Sequence, residues 1–204
     1  PREPVTELVL ANPQPSGAAK VDRSGTRFIL GGSTVYLSNT NHASLWYQPP
    51  LVVEEILGAA RQMGLTAVRL FSFCEGGSFG GYCFQPEPGQ FDEPTFRNLD
   101  WVVTRAGQLG LRLILPFVNQ WDDNFGGMRQ YVNWVNARYP EEIPEDLREP
   151  WLETVQLRDL TSGTPEYDLY QRYHDLFYTN THARQWYQGY LEALLNRVNS
   201  YTGI

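Results

Sequence analysis

Arg69 is the first residue that calls for a chemical explanation. It stands within Thr66–Phe73, TAVRLFSF, which otherwise has the pattern of a buried strand. A guanidinium keeps its charge at physiological pH, and burying it without a partner is costly. It therefore needs a carboxylate to neutralise or a ligand to hold, and spacing alone leaves a local salt bridge and a role at a reacting centre equally open. Aromatic side chains in polar, glycine-rich surroundings form the second chemical signal: SLWYQPP, GGSFGGYCF and NQWDDNFGG. Rings in such loops can stack on a flat ligand face, a pyranose ring for example, although packing competes as the role of any one ring. Cys74 and Cys83 flank EGGSFGGY. That spacing matches no zinc motif; it reads as a disulfide closing a short loop, with two free thiols as the alternative. His174 and His182 show no ligand-like pattern and read as surface or capping residues. Asp122 and Asp123, adjacent in the chain, read as loop-ordering rather than metal-binding.

These residues must be positioned by regular elements, and the pattern of those elements is legible. Gly31 and Gly32 in TRFILGGSTVYLSN separate two short β-like runs, a hairpin signal. LVVEEILGAARQMG is apolar at helical spacing and ends at Gly64, and TFRNLDWVVTRAGQL, residues 95–109, repeats the form before Gly110. The two helix ends lead into matching strands, QMGLTAVRLF and QLGLRLILPF. A helix–Gly–strand unit used twice implies βαβ architecture with parallel strands. Short turns enter the strands, and long aromatic, polar loops leave them. That asymmetry fits an α/β fold of the (β/α)8 barrel type, with a site at the C-terminal strand ends. A doubly wound sheet is the rival, but no Gly-rich phosphate loop follows any strand. Beyond a short helix in MRQYVNWVNARY, residues 140–168 are acidic, Pro-rich and poorly periodic and read as a long excursion on the site side, with the acidic stretch 141–153 a solvated segment. THARQWYQGYLEALLNRVNSYTG then closes as an amphipathic helix. Residues 1–26 read as an N-terminal arm, and 27–204 as the N-terminal part of a (β/α)8 domain.

Composition narrows the function classes. A net charge of −7 argues against nucleic acid or an anionic membrane as partner. No apolar run approaches the roughly 20 residues of a membrane helix. The opening residues lack the basic head and apolar block of a signal peptide, a pattern shared by processed secreted proteins.

Several blocks in order, YLSNTN, VRLFSF, the long run from QPEPGQFDEP through LRLILPFVNQWDDNFGGMRQYVNW, and FYTNTHARQWYQGYLEALLNRVNSYTGI, resemble the endo-β-1,4-mannanases of glycoside hydrolase family 5. The resemblance runs from about Phe28 to Ile204. It implies a (β/α)8 barrel of which this chain supplies roughly strands one to three and their helices. It further implies retaining hydrolysis of β-1,4-mannosidic bonds by two glutamates, without cofactor or metal. In the family the acid/base follows an Asn in an Asn-Glu-Pro motif after the fourth strand, and the nucleophile ends the seventh. This sequence has no Asn-Glu-Pro, and neither glutamate maps onto it.

By the same resemblance, Arg69 corresponds to the arginine that hydrogen-bonds the nucleophile. Asn41 matches the Asn after the first strand, although Asn39 and His42 depart from the family pattern there. Trp121 resembles the tryptophan bordering the glycone side of the cleft, with Asn119 a polar candidate beside it. Phe71 stands where the family often has Trp, and Trp46 is the remaining aromatic candidate. The expected partner is a β-mannan poly- or oligosaccharide and the expected location extracellular. A second polypeptide carrying the rest of the barrel would reconcile the missing glutamates with the motifs. A β-1,4-glucanase of the same fold and a non-catalytic glycan-binding fragment are the alternatives.

Overall fold

A computed structural model describes residues 21–77, 80–120 and 125–204. The chain divides into two compact units, each assembled from separate segments. One takes the chain up to Phe71 together with Arg97–Leu115 and Val198–Ile204; the other takes Ser72–Phe96 and Pro116–Arg197. Of the expected N-terminal arm, residues 1–20 lie outside the described residues.

In the first unit, β1 (Asp22–Ser24), β2 (Arg27–Leu30) and β3 (Ser33–Val35) form an antiparallel ribbon. Leu30 faces Ser33, so Gly31 and Gly32 make a two-residue turn. Their φ values of 57° and 82° are those the tightest hairpin turn demands at both positions. A parallel sheet follows, β4 (Asn39–Asn41), β5 (Ala67–Arg69) and β6 (Arg112–Ile114), in that order. Between the strands run α1 (Pro50–Gln62) and α2 (Glu93–Gln108). Val53, Leu57 and Ala60 are the buried positions of α1, a single face at helical spacing. Leu99, Val102 and Ala106 repeat that spacing along α2 and are buried too. Arg105 reaches across to Glu54 at 2.6 Å, tying one helix to the other. The strands are shorter than the apolar runs that announced them. Leu70 and Leu111 are fully buried yet lie outside the ladder, so hydrophobicity overstates its length.

Both helices of this unit end identically. The amide of Gly64 donates to Arg61 O and that of Leu65 to Ala60 O; Gly110 and Leu111 donate to Gly107 O and Ala106 O. With φ of 75° and 70°, the two glycines adopt the left-handed conformation that closes a helix and turns the chain straight into a strand. Asn199 closes the unit from its far end. Buried, it donates to Asp100 O at 3.0 Å and accepts from Thr104 Oγ1 at 3.1 Å and the Tyr201 amide at 2.9 Å.

The second unit is mainly helical: α3 (Met128–Arg138), α4 (Pro165–Thr179) and α5 (Thr181–Leu195). Its core joins Tyr131, Val132 and Val135 of α3 with Tyr170, Tyr173 and Phe177 of α4 and Ala183 of α5. The acidic stretch 141–153 differs from the solvated segment expected. It is wound into short 3-10 turns, and Ile143, Leu147 and Leu152 are buried in that core, while residues 165–168 of the expected excursion begin α4. Single apolar residues among acids do not set up a period, which is why the pattern is invisible in sequence. The α4 start does carry a local signal: Thr164 accepts from the Tyr167 amide, Pro165 stands at the first helical position, and Glu166 and Asp168 lie in the first turn. His174 corrects a second expectation, since it is buried within α4 rather than on the surface, and burial lowers its pKa.

Candidate functional site

In the first unit the strand register brings two candidates together. Asn41 and Arg69 are opposed residues on β4 and β5, and Arg69 Nη1 donates to Asn41 Oδ1 at 3.0 Å. Both are the last residues of their strands, so the pair stands at the C-terminal edge of the parallel sheet. Beyond the ladder the backbone keeps its alignment. His42 N donates to Arg69 O at 2.8 Å, and Phe71 N to Ala43 O at 3.1 Å. The guanidinium carbon lies 5.2 Å from the centre of the Phe71 ring, within cation–π range. Half-buried Arg69 is therefore oriented by Asn41 on one side and by an aromatic face on the other. No carboxylate among the described residues pairs with it. What the arrangement offers chemically is a fixed, oriented cation at a strand end, suited to holding a carboxylate ionised.

Trp46 does not join this group as a stacking surface. It is fully buried in a 3-10 turn spanning Leu45–Tyr47, edge-on to Tyr47 at 4.8 Å. The polar neighbours that suggested a loop ring in SLWYQPP cap a turn whose apolar residues pack inward, so Trp46 is a core residue here.

Asn119 belongs to the second unit, and Trp121 lies outside the described residues, as do Asp122 and Asp123. Asn119 is half-buried, and its carbonyl accepts from the Met128 amide at 2.8 Å, at the start of α3. The residue that sequence reasoning overlooked is Glu75. Its side chain is buried, and Oε2 accepts from the Gly127 amide at 2.9 Å. Burial pushes its pKa up to about 8, while the Gly127 amide and the nearby Tyr131 hydroxyl pull the other way. The signal available was a lone acid between the apolar FSFC and a glycine-rich stretch, in a region to which the family motifs assign no catalytic residue.

Cys74 and Cys83 are two buried free thiols, not the disulfide expected from their spacing. The Cys83 thiol donates to the Cys74 carbonyl at 2.8 Å, and the Cys83 amide to Thr95 Oγ1 at 3.0 Å, so hydrogen bonds close the loop instead. The hydrogen bond to Cys83 and burial both push the Cys74 pKa far up, which keeps it protonated. His182 faces Glu142 at 3.1 Å and stacks on Tyr139, in keeping with a surface role. Among the described residues no three His, Cys, Asp or Glu side chains gather as a metal site. No helix there is long and apolar enough to cross a membrane.

Comparison with known proteins decides the family. The model for GH family 5 β-mannosidase-like proteins matches residues 19–204. The chain belongs to glycoside hydrolase family 5. Mannan endo-1,4-β-mannosidase 2 of Arabidopsis thaliana is 34% identical over 194 residues, 91% of this chain and 37% of its own length. Mannan endo-1,4-β-mannosidase 1 of rice, Oryza sativa subsp. japonica, is 31% identical over 92% of this chain and 37% of its own. Among solved structures, the endo-β-1,4-mannanase of Thermotoga petrophila aligns with TM-score 0.58 and 28% identity, over 82% of this chain and 31% of that one. The endo-1,4-β-mannanase of Rhizomucor miehei, at 24% identity, shares the fold with TM-score 0.66 over 90% of this chain and 43% of its own. The family 5 chain is thus part of a (β/α)8 barrel and spans under two fifths of the length of the curated relatives it matches.

Proposed function

We propose that this chain supplies the first three βα units of a secreted, retaining endo-β-1,4-mannanase. Its substrates are the β-1,4-linked main chains of mannans, galactomannans or glucomannans. The observation that carries the reading is Arg69 at the end of β5, oriented by Asn41 at 3.0 Å and backed by Phe71. In a retaining mechanism one carboxylate attacks the anomeric carbon while a carboxylic acid protonates the departing glycosidic oxygen. Water, deprotonated by that same residue, then releases the sugar from the covalent intermediate. Arg69 serves the first step by keeping the attacking carboxylate ionised and aimed. Asn41 holds Arg69 in place, Phe71 walls the cleft, and Asn119 and Trp121 line the glycan subsites. The two glutamates themselves come from barrel strands beyond those described, in the same polypeptide or in a second one.

The test is hydrolysis by the polypeptide carrying the whole barrel, scored as reducing ends from linear mannan, galactomannan and a β-1,4-glucan. Release from the mannans with loss in Arg69→Ala supports the proposal. Release from the glucan alone would assign a glucanase of the same fold. Mannan binding without release from an intact barrel would leave a glycan-binding protein.

A further inference from the structure

Glu75 spends a buried carboxyl on a backbone amide, and the surroundings show what that accomplishes. Its own amide donates to Phe125 O at 3.0 Å, and its Oε2 accepts from Gly127 N at 2.9 Å. Main chain and side chain of one residue thus grip the segment leading into α3. Gly127 is the residue that caps α3, so the carboxyl also sits at the positive end of that helix. The grip is close. A methyl group built on Gly126 would run into the Glu75 carbonyl, and one built on Gly127 would strike the carbonyl of Asn119. Both glycines have positive φ, 89° and 85°. Gly127 is therefore pinned by Glu75 on one side and pressed on Asn119 on the other, while the Asn119 carbonyl takes the Met128 amide.

The near side of Glu75 is equally fixed. Gly76 N donates to Gln85 O and Gln85 N to Cys74 O, both at 3.0 Å. Tyr131 of α3 donates to Gln85 Oε1 at 2.9 Å. The other carboxyl oxygen, Oε1, is buried with no hydrogen-bond partner among the described residues.

We propose that Glu75 is a positioning residue for the Asn119 glycan subsite, acting through Gly126 and Gly127. It does not touch substrate; it sets the backbone against which Asn119 is seated. The proposal rests on the mannan-cleft reading of Asn119. Titratable groups around the carboxyl are Tyr131 of α3, Tyr187 and Tyr190 of α5, and Cys74. All are neutral near pH 7, so its protonation is the one that changes across the working range.

The experiment uses the polypeptide carrying the whole barrel as wild type, Glu75→Ala and Glu75→Gln. Its probes are amide hydrogen exchange and kinetics on mannopentaose. Removing the acceptor in Glu75→Ala is expected to speed exchange at Gly127 and Met128 at least tenfold, leaving the α4 and α5 amides unchanged. KM should rise about tenfold with kcat within about threefold. Glu75→Gln keeps an acceptor oxygen for Gly127 and should restore both readouts, with a KM that no longer varies between pH 7 and 9. Unchanged exchange at Gly127 in Glu75→Ala overturns the proposal, as does a uniform loss of protection through α3, α4 and α5. Should Glu75→Ala fail to fold, a Glu75→Gln variant with wild-type pH dependence of KM overturns it alone. If wild type does not bind mannopentaose, the mannanase reading fails, and the exchange data still decide whether Glu75 holds Gly127.

Discussion

Arg69 and Asn41 close adjacent parallel strands at the same level and share a hydrogen bond of 3.0 Å. The pairing answers the question posed by a charged residue in an apolar run. Strand β5 is buried up to Val68, and the guanidinium begins where the ladder ends. An amide oxygen orients it without neutralising it, which leaves its charge available.

Replacing Arg69 by alanine should lower kcat/KM on mannan by about 10²- to 10³-fold, the scale of losing one preorganised charge at a reacting centre. Arg69→Lys keeps the charge but not the planar fork, and should recover only part. Reducing-end assays across pH 4–8 read the result. A local structural role would appear instead as a fall in thermal midpoint with kcat intact.

Asn41→Ala tests the same contact from the other side. Arg69 then loses its orienting acceptor but keeps Phe71, so kcat should fall about tenfold, an effect of about 1.4 kcal/mol. A double-mutant cycle with Arg69→Ala should show strongly non-additive losses, because one side chain acts through the other. Additive losses would refute the coupling.

Glu75 should make stability fall with rising pH. Its carboxyl titrates near 8 when folded, against an ordinary value of 4.5. Below that ordinary value both states are protonated and the stabilisation is complete. As pH rises to about 8 the unfolded chain ionises while the folded one stays neutral, so a few kcal/mol are lost and the curve then levels. Denaturant midpoints for wild type and Glu75→Gln at pH 5, 6.5 and 8 check this. The variant should be flatter by that amount.

The free thiols give a chemical prediction. Both buried, Cys74 and Cys83 should resist iodoacetamide in the native protein and both react once it is unfolded in guanidinium. A chain that takes up no label after unfolding without reductant would contain a disulfide after all.

Asn199→Ala removes a buried donor to Asp100 O and an acceptor for the Thr104 hydroxyl and the Tyr201 amide. A loss of about 2–3 kcal/mol is expected, the cost of orphaned buried groups. Chemical denaturation measures it, with activity at 25 °C the control.

What the sequence made legible was whatever repeats or punctuates. Gly64 and Gly110 marked two helix ends at the right residues, Gly31 and Gly32 a hairpin, and the apolar runs after them the parallel strands. The ordered blocks, LRLILPFVNQWDDNFGG and RVNSYTG above all, led to the family and to Arg69 and Asn41 as separate candidates; that the two are bonded to each other appears only in the strand register. Helix α4 escaped because its buried face is made of Tyr170, Tyr173, His174 and Phe177, rings with polar atoms that read as neither core nor surface. Trp46 escaped for the opposite reason: polar neighbours concealed a ring that is wholly interior. The role of Glu75 could not be read at all, since its partners are backbone groups at Phe125 and Gly127, some fifty positions away, and backbone has no letter in a sequence.

The matched helix endings at Gly64 and Gly110 divide labour along the chain. Everything that makes the strand entrances alike is backbone hydrogen bonding around one glycine, with open space beside each. The segments leaving β5 and β6, Ser72–Phe96 and Pro116–Arg197, are by contrast different in length, composition and structure. The entrances can therefore stay constant whatever the exits become. The two exits are not independent of each other, since Glu75 holds Gly127 and Gln85 takes the Tyr131 hydroxyl, so a change in one has to be matched in the other.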